Sequence, residues 1–253
     1  MHMVPWKLVW ITGASSGIGR EIAAQLAAQG VQVAASARSA EKLSDLGTNV
    51  CPYPCDVIDQ VSVADTFAKI ERELGPVDLA LFCAGTFAPV EIDNIDPLVF
   101  QKTIMTNYMG VVNCLAAALP SMLSRSKGHI AWIASVAGYS GLPKSAAYGS
   151  SKAALINLAE SLRPELELRG IKISVVNPGF VQTPMTAPND FPMPFIIRPE
   201  EAARRTIEGL ATGRFETTYP KRLAIALKIA RLLPYWLYFW LIKRTVLKQT
   251  SAQ

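Results

Sequence analysis

Histidine and cysteine are scarce in this 253-residue sequence, which has two histidines and four cysteines. The histidines are His2 and His129, and the cysteines, at positions 51, 55, 83 and 114, are too few and too irregularly spaced for a disulfide framework. A structural zinc site needs about four ligands, and no second cysteine pair follows Cys51 and Cys55, so we expect no metal site. We therefore expect free, apolar cysteines in a reducing compartment.

Long apolar runs are also missing. The N-terminus has no stretch typical of a secretory signal. The uncharged run Leu232–Ile242 (LLPYWLYFWLI) is eleven residues long, whereas a membrane-spanning helix needs about 20. These features predict a cytoplasmic protein, either free or peripheral on the inner face of a membrane.

Acidic residues are absent from residues 219–253, although the whole chain has 20 of them against 25 basic residues. This C-terminal stretch carries a charge of +7, so the rest, with 18 basic and 20 acidic residues, carries −2. Bulky apolar residues interrupt the basic ones, which argues against a nucleic-acid-binding face. The basic residues are Lys221, Arg222, Lys228, Arg231, Lys243, Arg244 and Lys248.

The length and the even composition indicate one domain. A chain of 253 residues can form a single large α/β domain, and it contains no repeat, low-complexity tract or Gly/Ser-rich linker. We predict that residues 1–218 form this domain and that residues 219–253 are an extension of it rather than a second domain.

Short apolar runs alternate with longer stretches of helical periodicity, and this alternation predicts βαβ units. The fold class is therefore α/β, a doubly wound parallel sheet with helices on both faces. Pro52 and Pro54 place the third strand at a sheet edge, and Pro164 predicts a kink in its helix. Strands are predicted over 7–12, 31–35, 49–54, 78–83, 129–134 and 171–177, and helices over 20–29, 59–74, 97–119, 147–169 and 199–211.

A glycine-rich turn follows the first predicted strand and opens the first helix, as a dinucleotide-binding fingerprint requires. Glycines allow the sharp turn and a close approach of the backbone to a pyrophosphate, which then faces the amides of the helix. The sequence is TGASSGIG, and its predicted phosphate-binding residues are Gly13, Ser15, Ser16, Gly17, Ile18 and Gly19.

The end of the second strand indicates which nucleotide binds. NAD enzymes place a carboxylate on the adenine ribose there, whereas NADP enzymes place a cation on the 2′-phosphate. The sequence has no acid in Ser36-Ala37-Arg38, and the forked guanidinium of Arg38 suits a phosphate. NADP(H) is therefore favoured, with NAD(H) as the alternative.

A tyrosine and a lysine four residues apart form the predicted catalytic pair. Tyr148 and Lys152 lie on one helix face, and Ser135 follows the fifth predicted strand. A nearby ammonium lowers the pKa of a phenol toward the range useful in acid–base catalysis, so we expect Lys152 to lower the pKa of Tyr148.

Together these motifs resemble those of the short-chain dehydrogenases/reductases, single-domain enzymes with a Rossmann-type fold, over residues 7 to about 213. The motifs that carry the resemblance, in chain order, are TGASSGIG at 12–19, Asp56-Val57, Asn107 with Gly110, Ser135, Tyr148 with Lys152, and Pro178-Gly179 with Val181 and Thr183.

The resemblance implies a role for each matched residue. Tyr148 would exchange a proton with the substrate oxygen, and Ser135 would hold that oxygen. Lys152 would also bind the nicotinamide ribose, and Asn107 would support a proton relay through water. The further implied cofactor contacts are Asp56 and Val57 near the adenine, Ala84 and Gly85 where the backbone approaches the cofactor, Pro178 and Gly179, and Val181 and Thr183 at the carboxamide.

One segment departs from the family pattern. The family usually has Asn-Asn-Ala-Gly after strand four, where this chain has Phe82-Cys83-Ala84-Gly85. An asparagine that would tie this strand to its neighbours is missing, so stability or cofactor affinity is expected to be lower. The catalytic residues are unaffected.

The loop after strand six indicates the type of substrate. It offers Phe180, Met185, Phe191, Met193 and Phe195, with Asp190 and Arg198 as its only charges. Such a lining favours a small apolar or lipid-like carbonyl compound or alcohol. The alternative is that these side chains pack on the domain or on the C-terminal extension.

The extension allows two interpretations. Its aromatic and basic residues suit an amphipathic segment on a membrane surface, over about 219–250, which Pro234 would break into two helices. Alternatively, it is a lid over the substrate pocket or a contact in a homo-oligomer, for which we expect a dimer or a tetramer.

The sequence thus predicts an NAD(P)-dependent oxidoreductase. A non-catalytic nucleotide-binding or membrane-surface scaffold protein with the same fold is the alternative, and the complete set of Asn107, Ser135, Tyr148 and Lys152 argues against it.

Overall fold

A computed structural model describes residues 4–43, 45–189 and 191–247. His2, Asp190 and Lys248, which entered the predictions above, lie outside the described residues.

The centre of the fold is a seven-stranded sheet in the order β3-β2-β1-β4-β5-β6-β7, in which all neighbouring strands are parallel. The predicted fold class is confirmed, and β3 lies at an edge of the sheet as its prolines predicted. The strands are β1 (Leu8–Thr12), β2 (Gln32–Ser36), β3 (Val50–Pro52), β4 (Leu79–Phe82), β5 (Gly128–Ile133), β6 (Ile171–Pro178) and β7 (Glu216–Tyr219).

Helices cover both faces of the sheet, because its central strands are buried on both sides. On one face Trp10 packs with α2, α4 and α5, and on the other Val9 and Ile11 pack with α1 and α6. The helices are α1 (Gly17–Ala28), α2 (Gln60–Leu74), α3 (Pro97–Ile104), α4 (Gly110–Ser124), α5 (Ala146–Leu168), α6 (Pro199–Ala211), α7 (Lys221–Arg231) and α8 (Tyr235–Ile242).

Two elements differ from the prediction. The helix predicted over 97–119 is α3 and α4 joined by a π-helical turn, Met105–Met109. The helix that contains Pro164 has nearly the predicted bounds, and the kink at Pro164 stays a prediction. Strand β7 was not predicted, since ETTY has no apolar run, and it ends at Tyr219, one residue beyond the predicted domain boundary.

The C-terminal extension contains two helices, α7 and α8, separated by Leu232, Leu233 and Pro234. The predicted break at Pro234 is confirmed. No helix in the described ranges is long and apolar enough to cross a membrane.

The strand order reverses beside β1, since the chain moves from β1 to β2 and β3 on one side and to β4 on the other. In open parallel sheets a crevice forms at such a point, outside the carboxyl ends of the strands. This position is where the predicted site residues meet.

Candidate active site

The carboxyl ends of the strands border a cavity of about 480 Å³. Every residue predicted to contact the cofactor lines it, and so do the predicted catalytic residues Ser135, Tyr148 and Lys152. The structure therefore brings together residues that are up to 170 positions apart, from Gly13 to Thr183.

The glycine turn has a geometry that only glycine fits. Gly13 has a φ of +70°, and a Cβ there would lie 2.6 Å from the backbone nitrogen of Ala84. A Cβ on Gly19 would lie 2.5 Å from the carbonyl oxygen of Gly13. The glycine turn thus packs closely against the residues that follow β4, and the cavity beside the turn stays open.

The first turn of α1 faces this space with its backbone amides. Ser16 is the N-cap residue, and its side chain makes no capping hydrogen bond within the described structure. The first amides of a helix have no partner inside the helix, and those of Gly17, Ile18 and Gly19 belong to residues that line the cavity. Such amides and the helix dipole suit a phosphate group.

The far end of the cavity carries an exposed guanidinium. Arg38 lines the cavity at the end of β2, and no carboxylate among the described residues forms an ion pair with it. Ser36 is buried, and its hydroxyl accepts a hydrogen bond of 3.0 Å from the indole of Trp10. Arg38 therefore remains available for a ligand, whereas Ser36 is committed to the core.

The predicted catalytic residues Ser135 and Tyr148 lie together in the lining of the cavity. The Ser135 hydroxyl accepts a hydrogen bond from the amide of Ala137 (3.1 Å) and donates one to the carbonyl of Pro178 (3.3 Å). Burial raises the pKa of Tyr148 to about 12, and a hydrogen bond with Ser135 opposes this rise. The phenol is therefore protonated at neutral pH.

The predicted lowering of the Tyr148 pKa by Lys152 is not what the structure shows. The Lys152 ammonium donates a 2.7 Å hydrogen bond to the carbonyl of Ile133 and lies 5.5 Å from the centroid of the Tyr148 ring. Burial lowers the pKa of Lys152 to about 8. Desolvation thus favours the neutral form of both groups.

Asn107 lies behind the cavity wall and does not line it. It is fully buried in the π-helical turn, where its side chain exchanges two hydrogen bonds with the backbone of Thr86 (2.7 and 3.0 Å). Its amide also donates to the hydroxyl of Ser151 (3.0 Å), which donates to the carbonyl of Tyr148 (2.7 Å). Asn107 thus joins the segment after Gly85 to the helix that carries Tyr148.

The segment that departs from the family pattern is apolar. Phe82 packs edge-on against Trp10, with ring centroids 5.6 Å apart, and Cys83 lines the cavity, where burial raises the pKa of its thiol to about 12. Beside Phe82 in the sheet, the Thr12 hydroxyl is buried and has no hydrogen-bond partner in the described chain. A buried hydroxyl without a partner generally costs stability, and the lower stability or cofactor affinity expected from this segment stays a prediction.

A second, smaller cavity of about 80 Å³ lies between the residues after β4 and the loop after β6. Phe87, one of its walls, also packs edge-on against Tyr148, with ring centroids 5.3 Å apart. Phe87, Pro89, Pro188 and Asn189 were not among the predicted site residues, and the signal that points to Phe87 is its position two residues after Gly85. The lining residues are Phe87, Pro89, Met185, Pro188, Asn189 and Phe191.

The residues of the loop after β6 separate into two groups. Met185 and Phe191 line the small cavity, and Phe180 packs against Phe191 with ring centroids 6.1 Å apart. Phe195, however, is half exposed, and the sulfur of Met193 accepts a hydrogen bond from Asn189. Only part of this apolar loop therefore faces the candidate site.

The C-terminal extension packs against the segment between Ser135 and Tyr148. Tyr238 donates a 2.6 Å hydrogen bond to the carbonyl of Gly141, and Lys228 pairs with Glu216. No described residue of the extension lines either cavity. Within the described chain, the extension therefore supports the site from outside and is not a lid over it.

The fold and the cavity define a nucleotide-dependent oxidoreductase with a doubly wound sheet, and comparisons with known proteins agree. The short chain dehydrogenase family matches residues 7–191. An uncharacterized oxidoreductase of Myxococcus xanthus is 34% identical over 241 residues, which covers 92% of this chain and 95% of its own.

Two solved structures have the same fold. A short-chain dehydrogenase of Streptomyces avermitilis matches with a TM-score of 0.80 at 25% identity, over 89% of this chain and 92% of its own. A short chain dehydrogenase of Burkholderia cenocepacia, in complex with NADP, matches with a TM-score of 0.78 at 27% identity, over 92% of this chain and all of its own. The chain belongs to the short-chain dehydrogenase/reductase family and is an oxidoreductase of that family.

Proposed function

We propose that the protein is an NADPH-preferring reductase of apolar or lipid-like carbonyl compounds, with Tyr148 as the general acid and base. The observation that carries this proposal is the meeting of Tyr148, Ser135 and Lys152 at one end of a cavity whose other parts are the glycine turn and Arg38. The reverse reaction is oxidation of the corresponding secondary alcohol.

The cavity fits a dinucleotide because its polar groups occur where such a molecule carries charge. The amides of Gly17, Ile18 and Gly19 suit the pyrophosphate. Because Gly13 has no side chain, the glycine turn can pack closely against Ala84, which leaves room for the pyrophosphate in the cavity. Asp56 and Val57 would contact the adenine, while Val181 and Thr183 would contact the carboxamide. When bound, the nucleotide supplies or accepts the hydride.

The preference for NADPH rests on Arg38. Its guanidinium is exposed to the cavity, and no described carboxylate competes for it or offers an acceptor to a ribose 2′-hydroxyl at this position. A planar guanidinium forms paired hydrogen bonds with a phosphate. The relative from Burkholderia cenocepacia was solved with NADP, which supports the same choice.

The protonated state of Tyr148 suits the reduction of a carbonyl group. At neutral pH the Tyr148 phenol holds its proton and can donate it to a carbonyl oxygen that Ser135 holds by a hydrogen bond. The Lys152 ammonium lies 5.5 Å from the centroid of the Tyr148 ring and would attract the negative charge of a phenolate formed during the reaction. We propose Asn107 as a positioning residue, because its three hydrogen bonds fix the backbone on both sides of the reacting groups.

The apolar substrate is supported by the small cavity beside Tyr148. Its lining has one polar side chain, Asn189, among aromatic residues, prolines and a methionine. Enclosed apolar walls bind a hydrocarbon group and exclude the hydroxyls of a sugar, which would lose their hydrogen bonds with water.

A panel of ketones tests this proposal. Oxidation of NADPH and of NADH is followed by absorbance with the full-length protein, ketones of increasing chain length and, for comparison, sugars of similar size. We expect turnover with NADPH and a kcat/KM that increases with the apolar part of the ketone. Nucleotide binding without turnover of any ketone would support a scaffold protein, and preferred turnover of sugars would exclude the apolar substrate class.

A homo-oligomer stays a prediction, which light scattering of the full-length protein tests directly. A single monomeric species over the working concentration range would contradict it.

A further inference from the structure

The outer face of α8 carries aromatic side chains that the fold leaves exposed. Tyr235 and Trp236 are 80% and 73% exposed, and Phe239 and Trp240, one turn later, are 53% and 49% exposed. Residues three or four positions apart are neighbours on a helix surface, and Tyr235 with Phe239, Trp236 with Phe239 and Trp236 with Trp240 have this spacing. These four side chains therefore form one surface, called here the aromatic face.

Apolar residues surround the whole of α8, although the helix lies at the protein surface. Helices that are apolar on all sides are normally buried in a core or in a membrane. Here only Tyr238 is buried, and it is held by its hydrogen bond to Gly141. The four rings of the aromatic face, by contrast, are about half exposed or more.

The preceding helix, α7, also has large apolar side chains that are exposed. Ile225 and Ile229, four residues apart on α7, and Leu232 after it are exposed, while Ala224 and Ala230 are buried. Lys228 holds this helix to the domain through Glu216. The extension is therefore attached by a few side chains and presents large apolar groups to the outside.

The charged residues of the extension itself are all basic. Residues 219–253 contain no acid, and Lys221, Arg222, Arg231, Lys243 and Arg244 are exposed. The guanidinium of Arg244 lies 4.6 Å above the ring of Trp240, at the end of the aromatic face. An apolar surface with a basic border matches an anionic lipid surface, in which aromatic rings lie at the level of the headgroups.

We propose that the aromatic face docks the protein on the surface of an anionic bilayer without crossing it. Helix α8 has eight residues, about 12 Å at 1.5 Å per residue, whereas the hydrocarbon core of a bilayer is about 30 Å thick. A second copy of the chain fits this face less well, since a two-fold contact would bring two sets of basic residues together with no acid of the extension to pair with them. The proposal does not depend on the substrate of the enzyme.

Vesicle flotation of the full-length protein tests this proposal. Vesicles of phosphatidylcholine alone are compared with vesicles in which roughly a third of the lipid is phosphatidylglycerol, at about 0.1 M and about 1 M salt. We expect flotation with the anionic vesicles at low salt and at least about a tenfold smaller bound fraction at high salt or without anionic lipid. Absence of flotation under all four conditions overturns the proposal.

Matched variants locate the binding surface. Trp236→Gln combined with Phe239→Gln should reduce flotation about tenfold or more. The control is Leu168→Gln with Ile92→Gln, at residues outside the extension that are 87% exposed, and it should not reduce flotation.

The basic residues are tested in the same way. Lys243→Gln with Arg244→Gln should reduce flotation, whereas Lys127→Gln with Arg169→Gln, at exposed residues outside the extension, should not. Equal losses in the test and control variants would contradict the assignment of this face.

Two further measurements distinguish a bilayer from a second copy of the chain as the occupant of the aromatic face. Trp6, Trp10 and Trp132 are buried, so a blue shift of the tryptophan emission on addition of anionic vesicles would report Trp236 and Trp240, and we expect such a shift. Light scattering addresses a second copy as the occupant. If the wild type is a dimer that does not float and Trp236→Gln with Phe239→Gln makes it a monomer, the face is a contact between copies and the proposal is wrong.

Discussion

We propose that the exposed side chain of Arg38 determines the choice between NADPH and NADH. We expect Arg38→Asp to change the ratio of kcat/KM for NADPH and NADH about 10- to 100-fold toward NADH, because a hydrogen bond to a charged group contributes about 1.5–3 kcal/mol. Steady-state kinetics with both nucleotides measure this ratio. Lys42→Asp is the control, since Lys42 follows in the same loop and does not line the cavity, and an equal change in both variants would mean that only the net charge matters.

Phe87 lines the small apolar cavity and contacts the ring of Tyr148, the proposed proton donor. Phe87→Ala should lower kcat/KM about tenfold or more for long-chain ketones and less for the shortest ketone, since apolar contacts of this size separate substrates by about 1–3 kcal/mol. The kinetics of the ketone panel provide the measurement, with Phe195→Ala, at a half-exposed ring, as the control. A uniform loss over all ketones would indicate that Phe87 acts only through the position of Tyr148.

At the scale of elements, Glu216 connects β7, α7 and the segment before Tyr148. It accepts hydrogen bonds from Tyr139 (2.6 Å) and Asn177 (2.8 Å) and pairs with Lys228. Burial alone would raise the pKa of Glu216, but these three donors together lower it. Its carboxylate therefore contributes stability above its unfolded pKa of about 4.3, and this contribution is lost as the pH falls below that value.

Glu216→Gln should reduce the free energy of unfolding at neutral pH by about 1–3 kcal/mol, because three donors lose a charged acceptor. It should also reduce the protection of α7 and of residues 139–141 from hydrogen exchange. Denaturant unfolding and hydrogen-exchange mass spectrometry measure these effects, with Glu167→Gln, in an exposed pair with Arg163, as a control near zero. Unchanged protection of α7 would show that Lys228 does not hold the extension to the domain.

The elements with strong periodicity could be predicted from the sequence, and the weak ones could not. Six strands follow from apolar runs, whereas Glu216–Tyr219 becomes a strand because its backbone pairs with β6 and Tyr219 fills the core. The π-helical turn at Asn107 depends on hydrogen bonds to Thr86 and Ser151, which are distant in sequence. No local pattern records such contacts.

The predicted site residues meet in one cavity because the motif positions fix which loops they occupy, and the strand order brings those loops together. The sequence could not give the protonation of Tyr148 and Lys152, since burial is a property of the folded chain. It also could not show that Phe87 shares a cavity with Met185.

At the scale of the whole molecule, stability depends on pH through His129. Burial lowers its pKa to about 4, with a smaller effect of Lys172, and its ring is hydrogen-bonded to Ser174. The unfolded chain takes up a proton near pH 6.5, whereas the folded protein does not until about pH 4. The stability from the neutral ring is therefore complete above about pH 6.5 and is lost as the pH falls from there to about 4.

We expect the free energy of unfolding to fall by about 2 kcal/mol between pH 7 and pH 5 because of this group. His129→Gln should be less stable at pH 7 and should show a correspondingly smaller loss between the two pH values. Urea unfolding at both pH values measures the difference. The same loss in wild type and variant would assign the pH dependence to other groups.

We propose that Tyr148 carries the proton in a reaction for which the rest of the cavity binds the nucleotide. The turnover of Tyr148→Phe with NADPH and the best ketone of the panel, measured together with NADPH affinity and thermal unfolding, tests this role. We expect a loss of kcat of about 10²- to 10⁴-fold, with NADPH affinity and unfolding temperature close to those of the wild type. Tyr53→Phe, which removes a hydroxyl bonded to Glu73 away from the cavity, should keep full turnover. A kcat of Tyr148→Phe near that of the wild type would show that Tyr148 does not carry the proton.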